Sequence, residues 1–393
     1  FVYFFKNKNR FIWGSEQSGY NHLYLYDYNG TLLQPLTQGD WAVTSLEGVD
    51  ENKGLVYYVS TEKDLLERQL YVVNLKGQDK TMLTAKEGFN EISMAPHAKY
   101  YLDDFSAPLT PGQISMHQAD GKFLADVNVR KAPDYSEYNL VMPEYFTIKS
   151  DSGLTYHASM IKPPDFDPAK KYPVLVYVYG GPHSQVVAKN FTNPWHQMMA
   201  QKGFIVFMMD NRGTANRGRK WETAIYRDLG RIELIDQLRG ISYLKSLPYV
   251  DANRINIWGW SYGGYMTLYA LTHSDVFHAG TAVAPVTDWR YYDSIYTERY
   301  MGLPSENEKG YQESAPLNYA GQLKGKLFLA HGSDDDNVHF QNSVQFIHRL
   351  IDSDLLYRFQ VYPNQSHSIR SIPDRIQLFQ SITRFFESVN QPD

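Results

Sequence analysis

The sequence predicts an α/β protein: a doubly wound, mostly parallel sheet over residues 141–393, preceded by part of an all-β propeller over residues 1–140. Three observations carry this. Short strands and turns recur with a period of about 40–50 residues in the first third of the chain. Beyond it, apolar β-rich runs alternate with helical stretches, the grammar of a parallel sheet covered by helices. One of those runs passes into one of those helices through a Gly-x-Ser-x-Gly turn.

The repeat is read from matching segments. HLYLYDYNG (22–30) recurs as QLYVVNLKG (69–77) and more faintly as QISMHQADG (113–121). FIWGSE from Phe11 matches LVYYVSTE from Leu55, and Leu36-Thr37 matches Leu83-Thr84. Four short strands per period is the pattern of propeller blades. The tyrosine content, 31 residues, fits, because the ring packs on a pleated surface while the hydroxyl reaches water. Fewer than three clear repeats are present, whereas propellers have about 4–8 blades. The remaining blades are therefore expected upstream of residue 1, where the sequence opens inside an apolar strand-like run, and the absence of a signal peptide carries no information on secretion.

In the second part, strands are expected at 173–179, 204–209, 255–258, 280–284 and 327–330, with helices at 219–247, 262–272, 342–351 and 373–389. The halves join near residues 130–144, a polar stretch with two prolines. A net charge of −5 with no basic stripe gives no footprint for nucleic acid. With no cysteine there are no disulfides and no thiolate metal sites, and no His/Asp/Glu spacing resembles a metal site, so neither metal nor cofactor is expected. No apolar run approaches the ~18 residues of a spanning helix, so no membrane span is expected.

The run 255–258 leads directly into Gly259-Trp260-Ser261-Tyr262-Gly263-Gly264, and a helical pattern follows. Strand, tight turn and helix are the context that gives the motif meaning: Ser261 is exposed at a sharp bend, beside helix amides able to bind a developing oxyanion. A serine hydroxyl needs a base, and the base an orienting acid. In α/β-hydrolases these follow in the order Ser, Asp or Glu, His, each at the end of a strand. KLFLAHGSDDDN supplies Asp334, Asp335 and Asp336, and QVYPNQSHS supplies His367. Spacing alone does not choose among the three aspartates. His331, at a strand end, reads as a packing or hydrogen-bonding residue. His339 lies near Asn337 but upstream of the expected base, and His183 follows a Gly-Gly-Pro loop that could approach the oxyanion.

Three segments, IWGWSYGGYMT, AVAPVTDWRYYDSIYTERYMGLP and HGSDDDNVHFQNS, resemble the catalytic domain of the prolyl oligopeptidase clan, and within it the dipeptidyl peptidase IV family, its bacterial members included. The resemblance spans residue 145 to the C-terminus and, more loosely, the propeller repeats. It implies an α/β-hydrolase fold and a serine dipeptidyl peptidase that releases Xaa-Pro dipeptides, cleaving after proline or alanine. It matches Ser261 to the nucleophile, Asp335 to the acid and His367 to the base. Tyr179, in VYVYGGP, matches the hydroxyl that joins the Tyr262 amide in the oxyanion hole. Tyr262, Val286, Trp289, Tyr292, Tyr296 and Val338 match an apolar slot for a pyrrolidine ring. From the residues alone, that cluster reads equally well as core. Asn337 matches a residue that binds the carbonyl of the penultimate substrate residue.

The resemblance also implies peptide partners with proline at the penultimate position, a periplasmic or exported location, and a homodimer formed partly through C-terminal helices. The stripe Ile376, Phe379, Ile382, Phe385 and Phe386 is a candidate for that contact or for packing on its own sheet. Two family features do not transfer: the glutamate pair that holds the substrate's amino terminus and the arginine that assists it are expected in blades upstream of residue 1, and residues 1–140 contain no adjacent Glu-Glu pair. Tripeptidyl, oligo- and acylaminoacyl peptidases of the clan share the triad, and a non-catalytic scaffold on the same fold is the alternative of another class.

Overall fold

The computed structural model describes residues 1–6, 8–127 and 134–391. They form two units: Phe1–Met142 with Ala188–Asn193 and Ala215–Glu222, and Pro143–Val187 with Pro194–Thr214 and Thr223–Asp393. The joining stretch read near residues 130–144 begins outside the described residues.

The first unit is built from four-stranded antiparallel sheets of propeller type. One comprises Val2–Phe4, Arg10–Ser15, His22–Asp27 and Leu32–Pro35. The next comprises Val43–Asp50, Leu55–Ser60, Gln69–Asn74 and Thr81–Met82. The faint third repeat is also a complete sheet, Phe89–Met94, Tyr100–Ala107, Thr110–Gln118 and Phe123–Asp126. The expectation of fewer than three repeats is corrected here: the third sheet has the same four strands although its side chains match the other two only faintly. The repeated Leu-Thr pair has a physical cause. Thr37 Oγ1 accepts the Leu23 amide at 3.0 Å, and Thr84 Oγ1 accepts the Leu70 amide at 2.9 Å. Each threonine thus satisfies the amide of the preceding strand where the ladder runs out. Phe5, Ile12, Leu23, Val43, Val56, Tyr58 and Val73 form one core, and Tyr57, Val59, Leu70 and Tyr101 another.

The second unit carries an eight-stranded sheet. Its strands are β1 (Glu144–Lys149), β2 (Thr155–Ile161), β3 (Tyr172–Tyr177), β4 (Ile205–Met209), β5 (Val250–Trp260), β6 (Ala279–Val283), β7 (Lys326–Gly332) and β8 (Arg358–Tyr362). The spatial order is β1-β2-β4-β3-β5-β6-β7-β8, antiparallel at the β1-β2-β4 edge and parallel from β4 onward. Parallel strands need crossovers. These include α1 (Pro194–Gln201), α2 (Arg231–Ser246), α3 (Tyr262–His273), α4 (Ser294–Met301) and α5 (Gln341–Asp352), with α6 (Ile372–Val389) closing the chain. Every residue of β6 is buried, as a strand covered on both faces requires. Tyr177 pairs with Trp258 and Trp260 with Val283, so the carboxyl ends of β3, β5 and β6 lie together.

The helix expected over 219–247 is not continuous. Arg219–Glu222 is a single turn, Thr223–Ile225 a 3₁₀ turn, and α2 begins only at Arg231. Arg227 and Gly230 take φ of 65° and 91°, which end one helix and start another. The apolar stripe of α6 packs inward: Ile382, Phe385 and Phe386 are buried, while Ile376 is 54% exposed. Phe385 meets Phe328 of β7 with ring centres 5.7 Å apart. Among the described residues, no helix is long and apolar enough to cross a membrane.

Candidate active site

Ser261 follows β5 directly and precedes α3, with φ 60° and ψ −118°, a conformation a side-chain-bearing residue adopts only when its surroundings impose it. The surroundings do so. The Ser261 amide donates to Val283 O of β6 at 2.8 Å, which pins the bend to the neighbouring strand. A Cβ on Gly263 would stand 2.2 Å from Val178 O, so only glycine lets α3 start this close to the β3 end. The bend leaves the Ser261 side chain half-buried at the carboxyl edge of the sheet.

Asp335 and His367, the expected acid and base, lie on the loops after β7 and β8. These loops are laced together: Ser333 N donates to Tyr362 O at 2.9 Å and Asn364 N to Ser333 Oγ at 2.8 Å. A Cβ on Gly332 would meet Gln365 O at 2.2 Å, so the close approach needs a glycine there. Of the three aspartates, only Asp335 is buried. Its Oδ1 accepts the amides of Asn337 and Val338 at 3.0 and 2.9 Å, and its Oδ2 lies 2.7 Å from His367 Nδ1. His331 Nε2 stands 3.1 Å from the same Oδ2 and 2.9 Å from Val338 O. Burial pushes the Asp335 carboxyl up, but the hydrogen bonds from His331 and His367 outweigh it and hold the group well below the usual carboxylate range. An ionised Asp335 assigns the His367 proton to Nδ1 and leaves Nε2 as a base.

His367 is tied to the elbow as well, since Trp260 Nε1 donates to its carbonyl at 3.0 Å. Ser261 Oγ and His367 Nε2 are not hydrogen-bonded to each other among the described residues. Catalytic bonds of this kind are often long before substrate arrives.

Tyr179 lies just past the end of β3, its ring centre 5.9 Å from that of Tyr262. Burial, and then the nearby Tyr300, push its hydroxyl pKa up, so it remains a proton donor at neutral pH. Its loop is braced from below: Asn211 Nδ2 donates to Gly180 O at 2.9 Å, and Gln237 Nε2 to Asn211 Oδ1 at 2.9 Å. Tyr262 is the first residue of α3, so its amide has no acceptor within the helix.

The aromatic residues expected to line the slot pack against one another. Trp289 and Tyr262 are buried with ring centres 5.3 Å apart, and Trp289 stacks near Tyr296 at 6.1 Å. Tyr292 and Tyr296 stand edge to face at 5.3 Å, both half-buried. Tyr292 donates its hydroxyl to Asn337 Oδ1 at 2.9 Å, which brings the exposed Asn337 to this cluster. Val286 and Val338 are buried on the loops beside it. The loop bearing Trp289 is anchored to α5 through Thr287 N and Asn342 Oδ1 at 2.9 Å.

The sequence profile of the prolyl oligopeptidase family matches residues 191–392 of this chain. The chain belongs to the prolyl oligopeptidase family. The dipeptidyl peptidase IV N-terminal region matches residues 1–112. This family member is 38% identical over 365 residues to a protein of Aspergillus flavus described as "Probable dipeptidyl peptidase 4", across 90% of the chain and 47% of that protein. It is 39% identical over 367 residues to "Probable dipeptidyl-aminopeptidase B" of Arthroderma gypseum, across 89% of the chain and 40% of that protein. The crystal structure of Porphyromonas gingivalis dipeptidyl peptidase 4 superposes with a TM-score of 0.92 at 39% identity, across 98% of this chain and 55% of that one. The chain thus spans about half the length of these relatives.

Within this prolyl oligopeptidase family site, the remaining histidines separate. His339 is exposed, its Nδ1 accepting the Gln341 amide, and the His183 ring sits 5.9 Å from that of Tyr300. His331, read as a packing or hydrogen-bonding residue, is wholly buried and hydrogen-bonded, with Nδ1 2.7 Å from Ser343 Oγ and Nε2 3.1 Å from Asp335 Oδ2. Sequence reading also passed over Glu233, a fully buried carboxyl beneath Tyr262. Its one sequence signal was an acid in the first turn of a helix, and the long helix expected over 219–247 hid that turn. Among the described residues, no group of three His, Asp or Glu side chains could hold a metal ion.

Proposed function

We propose that the protein is a serine exopeptidase that removes dipeptides from peptide N-termini by cleaving after proline or alanine, with Ser261 as nucleophile. The observation that carries this reading is the buried Asp335–His367 pair, 2.7 Å apart, on loops beside the strained bend of Ser261.

Ser261 Oγ attacks the carbonyl carbon after the second residue while His367 Nε2 takes its proton. Asp335 fixes the tautomer and stabilises the imidazolium. The carbonyl oxygen becomes an oxyanion that accepts from the Tyr179 hydroxyl and the Tyr262 amide. Such donors are worth about 10²–10³ in rate each where they have been removed. The C–N bond then breaks, the leaving amine takes the proton from His367, and a dipeptidyl ester remains on Ser261. Water, deprotonated by His367, hydrolyses the ester and frees the dipeptide.

Preference for proline is supported by the Tyr262, Trp289, Tyr292 and Tyr296 wall. A pyrrolidine ring brings no N–H and little polarity, so a rigid aromatic surface loses no hydrogen bond by enclosing it.

A chromogenic panel of free and N-blocked Xaa-Pro and Xaa-Ala substrates, assayed with full-length protein, tests the reading. Free Xaa-Pro should be cleaved fastest. A blocked substrate cleaved equally fast would replace the exopeptidase with an oligo- or acylaminoacyl peptidase, and release of tripeptides would replace the dipeptidyl reading.

A further inference from the structure

Beneath the aromatic wall lies a carboxyl that the mechanism above does not use. Glu233, in the first turn of α2, is fully buried. Its Oε2 accepts the Gly230 amide at 2.9 Å, and its Oε1 accepts the Tyr262 hydroxyl at 2.7 Å. Around the same point, Tyr265 stands edge to face with Tyr262 at 5.2 Å and with Trp289 at 4.9 Å. Burial pushes the Glu233 pKa up to about 8 despite the hydrogen bonds it accepts. A carboxyl in such a place is costly unless its oxygens are satisfied. Here it accepts from the Tyr262 hydroxyl and from the main-chain amides of Gly230 and Glu233, so its donors come both from α3 and from the start of α2.

The partner makes the contact consequential. Tyr262 presents its ring to the slot and its main-chain N–H beside Ser261, so anything that fixes the ring also fixes the amide. At the Cγ end the Gly181 backbone passes so close that a Cβ there would stand 2.8 Å from the ring, which leaves little room for it to shift. The other end is held by Glu233. A ring clamped at both ends cannot tilt when a substrate side chain presses on it. Removing the clamp leaves the buried Tyr262 hydroxyl and the buried Gly230 amide without these acceptors, which favours a turn of the Tyr262 ring toward another partner.

We propose that Glu233 is a positioning residue for catalysis: by holding the Tyr262 hydroxyl, it keeps the slot wall rigid and the Tyr262 N–H aimed at the oxyanion. This rests on the reading of Tyr262 given under Proposed function.

The test uses full-length protein and the variants Glu233→Ala, Glu233→Gln, Tyr262→Phe and the double Glu233→Ala/Tyr262→Phe. Two readouts are taken: kcat and KM on free Xaa-Pro and Xaa-Ala substrates, and the second-order rate of phosphonylation by a fluorophosphonate. Loss of alignment, short of loss of the donor itself, should lower kcat by about 10–100-fold in Glu233→Ala, with KM changed by less than about 3-fold. Phosphonylation should slow in parallel. Tyr262→Phe should show a comparable loss, and the double variant no more than about 2-fold beyond it, because both changes cut one contact. Glu233→Gln, whose amide can accept from Gly230 N–H and donate to the Tyr262 oxygen, should recover activity to within about 5-fold of wild type.

The proposal is overturned if folded Glu233→Ala keeps kcat and phosphonylation within about 2-fold of wild type, or if the two single losses multiply in the double variant. Should Glu233→Ala fail to fold, a Tyr262→Phe variant with unchanged kcat overturns it equally. A wild type that is phosphonylated but shows no proline preference sinks the substrate reading alone, since the phosphonylation rates still report on Glu233. A wild type that is not phosphonylated overturns both.

Discussion

His367 Nδ1 lies 2.7 Å from Oδ2 of Asp335, the only buried member of three consecutive aspartates. Asp334 Oδ1 accepts the Ser333 hydroxyl at 2.8 Å, and Asp334 and Asp336 are both exposed. Asp335→Asn should therefore cut kcat by roughly 10³–10⁴-fold by stabilising the wrong imidazole tautomer. Asp334→Asn and Asp336→Asn should stay within about 3-fold of wild type, because exposed charges are screened. Steady-state kinetics on one substrate for all three variants decides this, and comparable losses in all three would contradict it.

His331 shares Asp335 with His367. Its Nε2 faces two acceptors and so carries the proton, while Nδ1 faces the Ser343 hydroxyl. Replacing it removes a donor from a buried carboxylate. His331→Asn should lower stability by about 1–3 kcal/mol, the cost of a buried polar group left unpaired. It should lower kcat about 10-fold, well short of the loss in Asp335→Asn, since His367 still holds the aspartate. Denaturant midpoints and kcat, measured together, separate the two effects. A variant as inactive as Asp335→Asn would give His331 a larger role than its geometry assigns.

How much of this was legible in the sequence follows from how local each signal is. The elbow was legible because glycine, serine and a following helix lie within six residues. The parallel strands were legible because strands covered on both faces are short, mostly apolar runs. The order of Asp and His was legible, but Asp335 differs from its neighbours only in burial, which depends on where the β7 and β8 loops meet. In the sequence the aromatic cluster reads equally well as core or as a slot, because both use the same side chains; in the fold Tyr292 and Tyr296 are half-buried, whereas Tyr262 and Trp289 are buried. The break before α2 has one faint sequence sign, Gly230, because a lone glycine is tolerated within a helical pattern, and Arg227 takes its positive φ with no sign at all. Glu233 was missed with that break.

Asp103 offers a pH test in the first unit. It is 6% exposed, and its Oδ1 has no hydrogen-bond partner among the described residues. Burial, with the charge of Asp104 added, pushes its pKa up to about 7. The folded state then holds a proton that the unfolded state has released above about pH 4. Its contribution to stability is fully present below about pH 4, and is lost as pH rises through about 7. Asp103→Asn should remove that decline, leaving the variant more stable than wild type at pH 8 by roughly 2–4 kcal/mol. At pH 4 the two should be nearly equal. Urea midpoints at both values check this, and a variant less stable than wild type at pH 8 would contradict it.

Active-site labelling reads whether Ser261 is an activated nucleophile without any assumption about substrate. Folded, full-length protein treated with a fluorophosphonate should gain one adduct, mapped by mass spectrometry to the peptide containing Ser261, and Ser261→Ala should gain none. Absence of the adduct in the wild type, or equal labelling of Ser261→Ala, would contradict the account.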